Sequence, residues 1–300
     1  MIAPQHNPSD GLTLHSPAKV NLFLSVHGKR TDGFHALTSL VVPVGFGDGL
    51  TVRIGADEDS LQCDVPSVPT GPENLILKAA AAFRARIGAS VYFHFDLEKK
   101  IPIGAGLGGG SSNAAVALKA MNALQGQPFE DAELSAIAAG IGSDCPFFVA
   151  ARPALMRGRG EIIEPLSERL EARLRGQRLV LFRPHFGVET GWAYGHLAAA
   201  GAGAYQDPEE AARRLDAWSE GGNLAELLFN SFERPVGEKY LAISALLEQL
   251  RERGISCLMS GSGSCCFALL EGTGAVDDAL FETVRSAWGD SVFWVETSIG

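Results

Sequence analysis

Apolar and polar positions alternate in several short stretches of this chain. Val20, Leu22 and Leu24 interleave with Asn21, Phe23 and Ser25, the two-residue period of a strand with one buried face. Thr13 to Val26 therefore reads as two short strands around Ser16-Pro17. Leu37 to Val44 and Leu50 to Ile54 read as further strands, joined at Gly45-Phe46-Gly47-Asp48-Gly49, and Val91 to Leu97 alternates again. Elsewhere the spacing is helical. Asn74 to Ile87 presents Leu75, Leu77, Ala79, Ala82 and Phe83 as most of an apolar face, Ser111 to Leu124 is alanine-rich, and Asp131 to Ala139 carries Glu133 in its first turn.

Further along, Leu179 to Phe182 reads as a buried strand ending at Arg183-Pro184. Pro208 to Ser219 is a helix with proline in the first turn. Tyr240 to Arg253 is a helix stopped by Gly254. Cys265 to Leu270 is a strand, Val276 to Trp288 a helix and Ser291 to Thr297 a last strand. The segments 203–208 and Ser60 to Pro72 read as surface connections. A boundary is expected near Glu164-Pro165. The prediction is an α+β chain with two halves, residues 1–165 and 166–300, whose sheets are mixed or antiparallel.

Composition narrows the function classes. Apolar residues make up 46% of the chain and charged residues 20%, enough for a substantial core and against disorder. The net charge of −10 argues against a nucleic acid or an anionic membrane as the main partner. No apolar run approaches the ~18 residues of a membrane span. Met1 to Gly11 lacks the basic and apolar regions of a signal peptide and reads as a short polar tail. The five cysteines, Cys63, Cys145, Cys257, Cys265 and Cys266, are odd in number and contain no C-x-x-C pair. Reduced thiols in a cytoplasmic protein are expected, with no zinc site and no disulfide framework.

The chemistry concentrates in Pro102-Ile103-Gly104-Ala105-Gly106-Leu107-Gly108-Gly109-Gly110-Ser111-Ser112-Asn113. Glycines let the backbone turn sharply and approach a ligand, and a helix N-terminus presents free N–H groups with a partial positive charge. Together they seat phosphate oxygens. A flexible linker fits poorly, because a long alanine-rich helix follows at once. Gly104, Gly106 and Gly109 form a G-x-G-x-x-G, but a dinucleotide site needs an acidic residue at the end of the next strand. Here Glu130 and Asp131 sit at a helix start. A Walker A loop needs lysine after its last glycine, and Gly110 is followed by Ser111. The H-R-D and D-F-G strings of protein kinases do not occur. The loop is a nucleotide or phosphate loop of another kind.

Ser16-Pro17-Ala18-Lys19-Val20-Asn21-Leu22 and Met259-Ser260-Gly261-Ser262-Gly263-Ser264 complete a set of three motifs. In this order, spread over nearly the whole chain, they resemble those of the GHMP kinases, which include galacto-, homoserine, mevalonate and phosphomevalonate kinases. Three strings sharpen the resemblance: Lys19-Val20-Asn21-Leu22-Phe23-Leu24, Gly28-Lys29-Arg30-Thr31-Asp32-Gly33-Phe34-His35 and Gly142-Ser143-Asp144-Cys145-Pro146-Phe147-Phe148-Val149. They point to the branch that acts on a cytidine diphosphate-linked sugar alcohol. The resemblance implies a two-domain GHMP kinase fold with the active site in the cleft between domains. It also implies ATP-dependent phosphorylation of the 2-hydroxyl of a diphosphocytidyl methylerythritol, in isoprenoid precursor synthesis by a route that avoids mevalonate.

The same resemblance assigns residues. Asp144 is the base that removes the hydroxyl proton, and Lys19 is the cation that offsets charge in phosphoryl transfer. Pro102, Ile103, Gly104, Ala105, Gly106, Leu107, Gly108, Gly109 and Gly110 wrap the ATP phosphates, with Ser111 and Ser112 at the helix N-terminus. One of these hydroxyls can approach Mg²⁺, which takes hard oxygen ligands. Which one stays open, and the glutamate that many GHMP kinases give the metal has no firm counterpart. Asn74 matches a position near the adenine or is a helix N-cap. Lys99 meets the nucleotide or is a charged strand end. Phe34 and His35 fall at the cytosine. The family usually has tyrosine where Phe34 stands, so one hydroxyl is missing while the stacking face is kept. Asn21 falls to the substrate diphosphate or diol, Thr190 to a substrate-side threonine, and Gly261 and Ser262 to a loop that approaches the first and closes the site.

Two other readings remain. Another GHMP kinase of mevalonate or homoserine type is disfavoured by Lys19-Val20-Asn21 and Gly33-Phe34-His35. A non-catalytic nucleotide sensor is disfavoured because both Lys19 and Asp144 are present. The expected partners are small molecules, with neither nucleic acid nor membrane, and the oligomeric state is left open.

Overall fold

Two long strands organise the chain. The computed structural model describes residues 11–272 and 278–300. β1 (Leu12–Lys29) runs without a break through Ser16-Pro17, and β2 (His35–Gly55) runs through Gly45 to Gly49. Each was expected as two shorter strands, and the correction has one cause. Gly47 lies against Ser16 and Pro17, where a Cβ would overlap the Ser16 carbonyl and come within 2.8 Å of Pro17 Cα. The glycine and proline that read as turn signals are a close crossing of extended backbone. The expected one-sided burial of β1 is also corrected. Every residue from Ala18 to Val26 is buried, Asn21, Phe23 and Ser25 included. β1 lies between β2 and a later strand, so both its edges are paired and both its faces covered.

Two compact units result, and their segments interleave along the chain. The first takes the described residues up to Ala18, then Gly47–Pro102 and Gly108–Ala151. Ser60 to Pro72, expected as a plain connection, contains β3 (Ser60–Cys63). α1 (Leu75–Ile87) follows its cap Asn74 and buries Ile76, Ala79, Ala80 and Phe83, a face rotated from the expected one. β4 (Tyr92–Glu98) pairs antiparallel with β2 and parallel with β3. α2 (Gly109–Leu124) is buried almost all round, with α1, α3 (Asp131–Ala139) and α4 (Cys145–Ala150) packed on it.

The second unit takes Lys19–Phe46, Ile103–Leu107 and the described residues from Arg152 onward. β5 (Ala154–Gly158) pairs with β2 and with β6 (Ile162–Pro165), so Glu164 and Pro165 lie in a strand of this unit. Then come α5 (Glu168–Leu174), β7 (Arg178–Arg183), α6 (Thr190–Ala199), a short turn at Ala202–Ala204, α7 (Pro208–Ser219) and α8 (Leu224–Leu227). β8 (Phe229–Asn230) pairs parallel with β1. The chain ends with α9 (Glu233–Lys239), α10 (Leu241–Glu252), β9 (Cys257–Met259), β10 (Cys266–Leu269), α11 (Asp278–Trp288) and β11 (Phe293–Ser298). A second sheet, in the order β11-β7-β10-β9, is antiparallel throughout. The architecture is α+β with mixed and antiparallel sheets, as expected. The polar tail at residues 1–10 and the first two positions of the helix expected from Val276 lie outside the described residues.

All five cysteines are free thiols. Burial pushes Cys145 up to about 11 and Cys257 and Cys265 up to about 12, and it raises Cys266 well above the ordinary thiol value. Cys63 is only partly buried, and burial raises its pKa as well. Native iodoacetamide labelling at pH 8 should therefore modify Cys63 first, and the other four only after unfolding. Peptide mapping that found Cys265 or Cys266 labelled first would contradict this burial.

Candidate active site

In the second unit the glycine loop meets the third motif. Gly104 and Gly106 adopt φ of 64° and 76°, the left-handed region that favours glycine. The loop between β9 and β10, Ser260 to Ser264, lies directly on it. Cys265 N–H donates to the Ala105 carbonyl at 3.1 Å, and Ser260 Oγ donates to the Gly106 carbonyl at 3.2 Å. A Cβ on Gly106 would overlap the Ser260 carbonyl. The third motif therefore lies against the glycine loop within this unit. Asn230 anchors the third motif from β8, donating to the Met259 and Gly261 carbonyls at 2.7 and 2.8 Å.

Lys19 reaches this junction. It is only 6% exposed, so it is not a solvated strand end. Its backbone N–H donates to the Leu107 carbonyl, and its Nζ donates to the Gly106 carbonyl at 2.7 Å and to Asn21 Oδ1 at 2.6 Å. Asn21 Nδ2 in turn donates to Ser39 Oγ. Asn21 is thus committed on both atoms and fixes the ammonium. Thr190 Oγ1 and Ser262 Oγ share a hydrogen bond of 2.9 Å, so these two predicted residues are brought together at the start of α6.

Phe34 and His35 stand at the entry to β2. Phe34 is 47% exposed, with the Arg159 guanidinium 4.7 Å from its ring centroid on one face. His35 packs at tilted angles against the Tyr194 and Tyr205 rings, and its buried Nε2 has no hydrogen-bond partner among the described residues. Burial, then the Lys29 charge, lowers its pKa below the ordinary histidine value. The shift favours the neutral ring, which has one donor and one acceptor.

The first unit holds the other half of the predicted set. Gly108 takes φ of 72° and starts α2 with no side-chain cap, leaving its first N–H groups open. Beneath it lies a residue the sequence did not single out. Asp48 is fully buried and accepts from Lys99 Nζ at 2.6 Å, the Lys100 and Ile101 N–H groups at 2.7 Å, and Asn113 Nδ2 at 2.8 Å. Lys99 is thus neither a charged strand end in solvent nor free to swing out. Its Nζ would lie 3.1 Å from a Cβ on Gly109, so that glycine makes room for the ion pair. Ser112 is buried, and its hydroxyl accepts from Ser16 Oγ at 2.8 Å. Ser111 is half-buried and contacts the Cys145 thiol.

Asn74 caps α1: its Oδ1 accepts from Ile76 N–H and its Nδ2 donates to the Pro69 carbonyl. Asp144 precedes α4, half-buried, and its carboxylate makes no hydrogen bond or ion pair among the described residues. It belongs to the first unit and Lys19 to the second.

Comparison with known proteins assigns this arrangement. Residues 74–152 match the model of the GHMP kinases N terminal domain, and residues 209–288 that of the GHMP kinases C terminal domain. A relative from Anaeromyxobacter dehalogenans (strain 2CP-C), named 4-diphosphocytidyl-2-C-methyl-D-erythritol kinase, is 39% identical over 88% of this chain and 82% of its own. The chain belongs to the GHMP kinases. A relative of the same name from Synechococcus sp. (strain CC9902) is 39% identical to this GHMP kinase over 89% of the chain and 90% of its own. A crystal structure of 4-(cytidine 5'-diphospho)-2C-methyl-D-erythritol kinase superposes with a TM-score of 0.76 at 34% identity. It covers 96% of this chain and all of that one. The Methanococcus jannaschii mevalonate kinase, at 14% identity and a TM-score of 0.70, shares the fold.

As a kinase the chain uses ATP. Among the described residues no group of three or more His, Cys, Asp or Glu side chains is placed to hold a metal ion. Mg²⁺ takes hard oxygen ligands, and the Ser111 and Ser112 hydroxyls at the start of α2 are of that kind. Ser112 is buried and bonded to Ser16, whereas Ser111 is half-buried.

Proposed function

We propose that this GHMP kinase transfers the γ-phosphoryl group of ATP to the 2-hydroxyl of 4-diphosphocytidyl-2-C-methyl-D-erythritol, in isoprenoid precursor synthesis. One observation carries the phosphoryl-transfer reading. A buried ammonium, Lys19, is fixed on the glycine loop where the third motif crosses it. A preorganised cation of this kind stabilises charge that develops in the transition state. The names of the relatives and the 34% identical structure support the choice of acceptor.

In this reading Asp144, with its carboxylate unencumbered, removes the proton of the attacking hydroxyl. Lys19 holds negative charge on the reacting phosphoryl group. The N–H groups of Gly104 to Gly110 and of the start of α2 hold the phosphate chain. Ser111 supplies the protein hydroxyl for Mg²⁺, which when bound neutralises phosphate charge. Asn21 orients Lys19 rather than the substrate, and Lys99 works through Asp48 to support the loop. Gly261, Ser262 and Thr190 line the acceptor side. Phe34 and His35 recognise the cytosine by stacking and by the base edge. In this reading the reaction runs in the cytoplasm with small molecules as partners.

The test is an assay of purified protein with ATP, Mg²⁺ and the cytidylyl substrate against mevalonate, homoserine and free methylerythritol phosphate. Turnover is expected with the first acceptor alone, and turnover only with mevalonate or homoserine would replace this reading. Phe34→Ala should weaken acceptor binding by ~1–3 kcal/mol, the cost of one lost base stack, and leave ATP binding near wild type. Phe34→Tyr should be close to neutral because the ring face is retained. Unchanged acceptor binding in Phe34→Ala would remove the stacking role.

A further inference from the structure

Arg183, at the end of β7, is an arginine that the phosphoryl-transfer reading leaves unused. It is half-buried, and its two hydrogen bonds go to the elements that form the phosphate-loop junction. Nε donates to Ser264 Oγ in the third motif and Nη2 to the Ile103 carbonyl at the start of the glycine loop, both at 3.2 Å. The Gly187 backbone flanks the pair: a Cβ there would lie 3.4 Å from Arg183 Nη2 and 3.3 Å from the Gly104 carbonyl. No carboxylate forms an ion pair with Arg183 among the described residues, whereas most other arginines have one.

That placement needs a cause. Withdrawing a guanidinium from water is costly unless an anion meets it, and burial does lower the Arg183 pKa. With ten more acidic than basic residues, the chain has no shortage of carboxylates. None has been placed here. A guanidinium has five N–H donors in a planar fork, and only two of the bonds above use them. The fork suits phosphoryl oxygens, which accept paired donors. Lys19 holds the Gly106 carbonyl and Arg183 the Ile103 carbonyl, so two cations are attached to one five-residue segment, Ile103–Leu107.

We propose that Arg183 is a phosphate-binding residue, donating to phosphoryl oxygens of a bound diphosphate or triphosphate chain. The proposal rests on the phosphoryl-transfer reading above and adds a ligand contact to it. The phosphates belong either to the nucleotide or to the cytidine diphosphate end of the acceptor, and the experiment separates the two.

Calorimetry on wild type, Arg183→Lys and Arg183→Met would compare ADP with adenosine and CDP with cytidine. Removing a charge-assisted hydrogen bond to phosphate weakens binding by about 10- to 100-fold. That weakening should appear in Arg183→Met for ADP or CDP, be smaller in Arg183→Lys, and be absent for the matching nucleoside. A loss confined to ADP assigns the phosphate to the nucleotide, and one confined to CDP assigns it to the acceptor. Either result supports the proposal. Dissociation constants for both diphosphates within twofold of wild type overturn it, as do equal losses for diphosphate and nucleoside, which would mark a structural role only. Arg183→Lys keeps the test open should Arg183→Met fail to fold. Wild-type turnover is assayed in parallel. If the wild type does not phosphorylate the cytidylyl acceptor while ADP or CDP binding still depends on Arg183, the choice of acceptor fails and the phosphate-binding role stands.

Discussion

Asp144→Asn should lower the single-turnover rate by about 10²–10⁴-fold, the usual contribution of a general base, with ATP and acceptor affinities near wild type. The substitution keeps the shape of the side chain and removes its basicity. Because the Asp144 carboxylate has no hydrogen bond or ion pair among the described residues, nothing structural should depend on its charge. Lys19→Met should cost a comparable factor through missing electrostatic stabilisation. It carries a second effect that Asp144→Asn lacks. Asn21 Oδ1 and the Gly106 carbonyl both lose a donor. Each buried acceptor left unsatisfied costs about 1–3 kcal/mol, and Gly106 keeps Ser260 Oγ as a partner. Rates for the Lys19 variant should therefore be scaled to the folded fraction measured by circular dichroism. If the two residues serve the same step, the double variant should be only slightly slower than either single one. Near-wild-type turnover in Asp144→Asn would end its assignment as the base. Full multiplication of the two losses would mean that they act independently.

The second large effect is on stability. Asp48→Ala should destabilise the protein by about 3–5 kcal/mol, since it strands the buried Lys99 ammonium without a counter-charge. The N–H groups of Lys100 and Ile101 and the amide of Asn113 lose the same acceptor. Typical domains have only ~5–15 kcal/mol in all, so the variant should be found largely aggregated or unfolded near 37 °C. Pairing Asp48→Asn with Lys99→Met should recover part of the loss, because both charges are then gone. Urea titration of the three variants measures this. A loss below about 1 kcal/mol in Asp48→Ala would mean that water or another group takes over the carboxylate's role.

Local signals were legible in the sequence and long-range ones were not. Asn74 before α1, Glu133 in the first turn of α3 and Pro208 opening α7 all act within a few residues, and each helix begins at or beside its expected residue. Gly47 and Pro17 carry the same letters as turn residues, yet they accommodate each other across two strands, which no local window displays. Alternation marked Asn21 as outward-facing. It is buried because Lys19 and Ser39 satisfy its amide. Asp48 sat in a string that looked like a loop, and its four donors lie 51 to 65 residues away. The three motifs were legible because their glycines and serines follow one another in short strings. The residues that hold them, Asp48, Ser39 and Asn230, answer only to packing.

The hydrogen bond from Asn21 N–H to Ser260 Oγ spans 239 positions of sequence. On the ribosome, the motif that carries Lys19 is therefore made long before the loop that will seat it. β1 must also wait for β8, since Leu24 pairs with Asn230. Nascent chains of this protein should thus carry an apolar strand with one edge unpaired through most of their synthesis. Exposed strand of that kind invites aggregation, so newly made protein should depend on chaperones far more than its finished, fully paired form does.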